Sequence, residues 1–129
     1  MRATYTRLFA DEKGLSHFEN VTIELHPGFA VPPAAPLNFA PFMHLGRSNF
    51  IGAPTGWRGE EPHPVPRRIL TIVLSGSIEI TAGDGTARKF SAGDIIVGED
   101  TRGTAHSTRV TEEGLSLFID ISDDPNAAP

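Results

Sequence analysis

The chain has 129 residues, enough for one domain, with 39% hydrophobic and 21% charged residues, a balance of globular rather than disordered proteins. A net charge of -5 without any Lys/Arg run argues against a phosphate backbone as partner, since that binding needs clustered cations. With no cysteine, disulfides, thiolate metal sites and a cysteine nucleophile are excluded. The N-terminal residues 1–7 lack the apolar core of a signal peptide, and no apolar run approaches the roughly 20 residues that cross a bilayer. The expectation is a cytoplasmic single domain with neither nucleic acid nor membrane as partner.

Residues 8–19 mix Asp11, Glu12, Lys13, Gly14 and Ser16 and read as a polar loop. Val21, Ile23 and Leu25 alternate with Thr22 and Glu24, the period of a half-buried strand, which His26-Pro27-Gly28 ends. Prolines at 27, 32, 33, 36 and 41 then make an extended arm, because proline lacks the ladder donor. The arm carries Phe29, Val31, Leu37, Phe39 and Phe42, so it is expected to pack across a sheet face or onto a second subunit. Residues 48–53 read as a strand ending at Pro54-Thr55-Gly56-Trp57. Pro62, Pro64 and Pro66 keep the next segment extended while denying it pairing on one side.

The organising stretch is 67–110. Ile69 to Leu74, then Ile78 and Ile80, then Ile95 to Val97 are short strands punctuated by Ser75-Gly76-Ser77, Gly83-Asp84-Gly85 and Ala92-Gly93-Asp94. Short strands with glycine at near-regular intervals predict an antiparallel sandwich or barrel. A strand over 107–110 follows, and Leu115, Leu117, Ile119 and Ile121 alternate in the last one. The acidic tail 122–129 is expected to fray. No internal repeat and no amphipathic helix is evident.

Three of these elements resemble the cupin superfamily. Leu74-Ser75-Gly76-Ser77-Ile78-Glu79-Ile80 is similar to the end of the first cupin motif, Phe90-Ser91-Ala92-Gly93-Asp94-Ile95-Ile96 to the opening of the second, and Gly103-Thr104-Ala105-His106 to its Gly-x-x-His. The resemblance covers about the middle third of the chain. More narrowly, the His-Pro-x-Pro-Arg-Arg stretch at 63–68 and Glu99-Asp100-Thr101 resemble small bacterial cupins without an established activity. The implied fold is all-β: a double-stranded β-helix, the cupin-type jelly-roll barrel, with an extended Pro-rich N-terminal arm. One cupin domain is expected over 1–129, with the barrel core at about 42–121, strand and arm at 1–41, and the tail at 122–129.

Metal-binding cupins carry His-x-His and then Glu in the first motif and one His in the second. Counted back from Gly76, the matching positions hold His63, Val65 and Ile69, so the resemblance keeps only His63 and His106 of four ligands. The second motif is also one residue longer between Gly93 and Gly103 than the common pattern. Glu61, two residues before His63 on an extended segment, shares its face and offers a two-His-one-carboxylate alternative for Fe, Mn, Ni or Zn. Without metal, two neutral histidines can orient a small acid or polarise a carbonyl, which makes His63 and His106 the catalytic candidates.

Period-two counting puts Arg67 on the face of His63, Ile69, Thr71 and Val73, where it would meet an anionic ligand or pair with Glu61, Glu99 or Asp100. Arg68 would point outward, and Trp57 would wall the cup or fill the core. The expected ligand site is therefore His63, Arg67, Thr71, His106 and Trp57. The expected function is binding of a small anionic or carbonyl-bearing molecule without metal. The alternatives are a metal-dependent oxygenase, isomerase or lyase using Glu61, His63 and His106, and a non-catalytic sensor or assembly module. A homodimer is the expected assembly.

Overall fold

The structure, a computed structural model, describes residues 1–123. Twelve strands build it: β1 (Arg2–Ala10), β2 (Ser16–Glu24), β3 (His26–Gly28), β4 (Leu37–Phe39), β5 (Leu45–Ala53), β6 (Arg58–His63), β7 (Ile69–Val73), β8 (Ser77–Ala82), β9 (Ala87–Ser91), β10 (Ile95–Gly98), β11 (His106–Glu112) and β12 (Gly114–Ile121). Among the described residues there is no helix, and so none long and apolar enough to cross a membrane. The expectation for the tail lies mostly outside the described residues, beyond Asp123.

The fold is an all-β sandwich. One sheet has six strands in the order β2-β1-β10-β7-β12-β5, the other four in the order β6-β11-β8-β9. All pairs are antiparallel except β1 with β10, which run parallel with Thr6 opposite Ile96 and Leu8 opposite Gly98. Alternation sets the inner faces. Ile78 and Ile80 of β8 stand opposite Val110 and Thr108 of β11, while Glu79 and Thr81 turn to the other side. Leu8, Val73, Ile80, Ala82, Phe90 and Ile96 form the buried cluster between the sheets, with Phe18 and Ile78 packed against it. Burying a side chain such as Leu8 contributes about 1.5–3 kcal/mol.

The expected closed barrel is not found. The sheets remain separate and touch through single bonds at a corner, where the Gly83 N–H donates to Ser16 Oγ and the Asp84 N–H to the Ser16 carbonyl. On the opposite side β6, which contains Pro62, pairs with β11 alone, as suits an edge strand. The predicted loop over 8–19 is also corrected: β1 and β2 take most of it, and only 11–15 is a turn. Asp11 makes that turn tight by accepting the N–H groups of Lys13 and Leu15 at 2.9 and 3.0 Å. Glu19, the last residue of that expected loop, lies exposed on the edge strand β2.

The arm forms a hairpin of its own, β3 with β4. Phe42 packs on Tyr5 of β1 at 5.1 Å between ring centroids, but Phe29, Val31, Leu37 and Phe39 are exposed. Between β7 and β8 the predicted glycine turn is present: Gly76 has φ 72°, and a side chain there would overlap the Glu112 and Glu113 carbonyls.

His17 of β2 ties the corner where the sheets meet. Its Nε2 lies 2.7 Å from Asp11 Oδ2 and its Nδ1 3.1 Å from Asp84 Oδ2. Carboxylates only accept, so both bonds are made fully by the imidazolium. Asp11 foremost, with Asp84 assisting, raises the His17 pKa above 6.5 against its desolvation. His17 lowers Asp11, while Asp84 is lowered chiefly by the Thr86 N–H. A raised histidine gives its full stabilisation below its unfolded value and loses it as pH climbs through the folded one; the lowered carboxylates lose theirs in acid. His17→Gln is therefore expected to lower the urea midpoint at about pH 6 and to matter much less at about pH 9. A gap unchanged between those pH values would remove the imidazolium from the corner.

Candidate functional site

The site is delivered by the loop between β10 and β11, which is fastened at several points. The Glu99 N–H donates to the Leu8 carbonyl at 2.7 Å, and its carboxylate accepts Arg7 Nε at 2.8 Å and Arg68 Nε at 3.2 Å. The Val65 N–H donates to the Asp100 carbonyl at 3.2 Å, joining this loop to the β6–β7 connection. Farther on, the Thr104 N–H donates to the Gly14 carbonyl at 2.8 Å. Gly103, at φ 85°, lies so close to Gly14 that a side chain would overlap its backbone. Ala105 is held at φ 68°, a left-handed conformation uncommon outside glycine. Buried Ser16 stabilises it by donating Oγ–H to the Ala105 carbonyl at 2.5 Å.

This backbone presents His106 inward beside Asp100. Asp100 is 0% exposed and His106 8%. His106 Nδ1 and Asp100 Oδ2 are 2.5 Å apart, and among the described residues Asp100 Oδ1 has no hydrogen-bond partner. Because a carboxylate can only accept, Nδ1 carries the hydrogen and Nε2 is left as the ring nitrogen free toward the cavity. Opposite in the ladder stands His63, with ring centroids 5.3 Å apart. Its Nδ1–H donates to the Glu61 carbonyl at 3.0 Å, which again leaves Nε2 as the remaining nitrogen. Both imidazoles are thus oriented through Nδ1, one by a buried carboxylate and one by backbone.

The two rings belong to the wall of a cavity of about 400 Å³ between the sheets. Leu8, Ile69, Ile96 and Phe118 from one sheet and Ile78, Ile80 and Val110 from the other make it largely apolar. Its remaining polar side chains are Thr71, Thr108 and Ser116. Trp57, Val65 and Pro66 complete the wall beside His63. The buried core runs into the cavity without a boundary, sharing Leu8, Ile78, Ile80 and Ile96 with it.

Of the predicted residues, His63, His106, Thr71 and Trp57 come together on this wall, and Arg67 does not. Arg67 is exposed and donates through Nε to Asp120 at 2.7 Å, which is none of the partners expected for it. Arg68, expected outward, is the half-buried one, bridging Glu99 and Asp123. Alternation fails there because the chain bends at Pro66-Arg67, so counting by twos from His63 loses its phase. Glu61 is exposed and outside the wall, its carbonyl rather than its carboxylate serving His63.

The set Glu61, His63 and His106 therefore does not assemble as metal ligands, and Ile69 fills the wall where a fourth ligand would stand. Among the described residues no three His, Asp or Glu side chains gather into a metal-holding group. Two imidazoles fall short of the three or four protein ligands that borderline divalent metals require. Asp100 is the residue that sequence reasoning missed as part of the site. Its signal was an acid in a polar loop six residues before His106, and a loop acid does not announce burial.

The molecule is an all-β sandwich with a histidine-bearing cavity between its two main sheets. Compared with known proteins, the chain matches no family model and no curated sequence.

Gly103→Ala should cost about 2 kcal/mol, since it meets both a positive φ and the Gly14 backbone, whereas Gly85→Ala, at φ 87° with open space around it, should cost about 1 kcal/mol. Urea denaturation of both variants measures the difference. Equal costs would mean that the Gly14–Gly103 approach does not hold the loop.

Proposed function

We propose that this protein is a small cupin-type binding protein that takes a small, largely apolar, carbonyl-bearing organic molecule into the cavity without a metal. One observation carries the reading: a cavity of about 400 Å³, within the range of small-molecule sites, is apolar except for two oriented imidazoles and three hydroxyls. Such a space counts against an interior filled by side chains, as the sensor or assembly alternative would have it. The cupin assignment rests on the three motif-like stretches and on two sheets facing each other across that space.

With Arg67 paired outside, no lysine or arginine among the described side chains lines the wall, so a free carboxylate would meet no fixed cation from them and the carbonyl half of the expectation is retained. Wall hydroxyls can donate to a carbonyl oxygen. The free Nε2 of His106 accepts, and suits a hydroxyl or an acidic hydrogen next to that carbonyl.

Trp57, the only tryptophan, stands in the wall and reports on occupancy. Small aromatic ketones such as 2-tetralone are expected to raise the melting temperature and change Trp57 emission, with benzoate weaker and His106→Ala reducing the response. If neither ketone nor acid moves either signal at millimolar concentration, the binding reading fails.

We also assign a second copy of the chain as partner. Phe29, Leu37 and Phe39 of the arm are exposed, and β5 is a free sheet edge with Phe50 74% exposed. Sedimentation at micromolar concentration should give a dimer that Phe50→Lys shifts toward monomer. A wild-type monomer would remove this partner.

A further inference from the structure

We propose that His106, held by Asp100, is a general base that removes an acidic C–H proton from a ketone or β-dicarbonyl compound bound in the cavity. The inference rests on the binding reading above and gives it a reaction, enolisation or tautomerisation.

Three features of the pair support it. Asp100 fixes the tautomer: it can only accept at Nδ1, so Nε2 offers a lone pair to whatever occupies the cavity. The carboxylate is also under-served. It is fully buried, and among the described residues its Oδ1 has no partner and the one donor it meets is the Nδ1–H of His106. A buried carboxylate in that state is costly unless a cation stands beside it. The missing cation appears when Nε2 takes a proton and the ring becomes an imidazolium. The positive charge that develops on the ring during proton transfer therefore lies beside a buried carboxylate, which stabilises the transition state. Thirdly, the mostly apolar wall strengthens this electrostatic gain.

His63 lacks a carboxylate behind its ring and has only the Glu61 carbonyl, so of the two imidazoles His106 is the catalytic residue and Asp100 its positioning residue. In the step itself the C–H bond breaks and its proton goes to Nε2. The bonding pair forms a C=C bond as the carbonyl becomes an enolate, whose oxygen Thr71, Thr108 or Ser116 can meet with a hydroxyl hydrogen. Return of the proton to carbon restores the ketone and the free base. No oxidant, reductant or metal enters the balance.

The test follows hydrogen–deuterium exchange at the α-carbons of 2-tetralone in D₂O by proton NMR, beside the melting-temperature shift that the same ketone causes. The wild type is expected to bind and to accelerate exchange by about 100-fold or more over buffer, with His106→Gln losing that acceleration. Asp100→Asn should lose most of it while keeping the melting shift, and nitrogen-15 spectra should show His106 leaving the Nδ1–H tautomer. Binding without accelerated exchange overturns the base and leaves the binding reading intact. Neither binding nor exchange overturns both. If Asp100→Asn does not fold, the wild-type nitrogen-15 spectrum decides: an Nε2–H ring at His106 refutes the proposal.

Discussion

A carboxylate shut away from solvent needs partners, and the site depends on how Asp100 obtains them. Its neighbour Glu99 faces two guanidinium groups at the partly exposed surface, while Asp100 turns inward to a single imidazole. Consecutive acids thus serve opposite ends: one anchors the loop from outside, the other orients a ring inside. The Asp100 carbonyl, accepting from Val65, extends the same loop to the connection that forms the cavity wall beside His63. Altering the loop would move both imidazoles together.

The separation of charge from cavity is consistent across the molecule. Arg2–Glu24, Arg67–Asp120 and Arg109–Glu79 are exposed pairs, each worth little on its own because water and salt screen them. Among the described side chains no arginine or lysine enters the space between the sheets, where branched aliphatic side chains and a few hydroxyls remain. Among the described residues, imidazole is the one ionisable side chain on that wall, and the ligand chemistry they offer is histidine chemistry.

Much of the second half of the chain was legible before the structure. Strands β7, β8, β10, β11 and β12 were read from glycine-punctuated or alternating stretches, β9 was not, and the Gly76 turn is where a positive φ was needed. His63 and His106 were placed in one cavity by resemblance, and they do face each other across a ladder. Three things were not legible. Strand β1 mixes Thr4, Thr6 and Arg7 with apolar residues, and its place in the sheet comes from pairing along its length with β2 and, over three residues, with β10 far along the chain. The inward placement of Arg67 assumed unbroken alternation through a bend. Asp100 sits in a polar stretch whose burial depends on contacts with Val65 and His106, none of them local in pattern.

The parallel seam between β1 and β10 has a consequence for how the molecule comes into being. Arg7 and Glu99, which brace that seam, are 92 residues apart in sequence, so the cavity wall containing Leu8 cannot close until most of the polypeptide is present. Non-local and parallel pairings are slow to nucleate, because a long loop must be closed before any contact compensates for the lost entropy. Until then β10 would show an uncovered apolar edge to its surroundings. The first strand to be synthesised is thus among the last to find its place, and the aggregation hazard of this chain belongs to the interval before it docks.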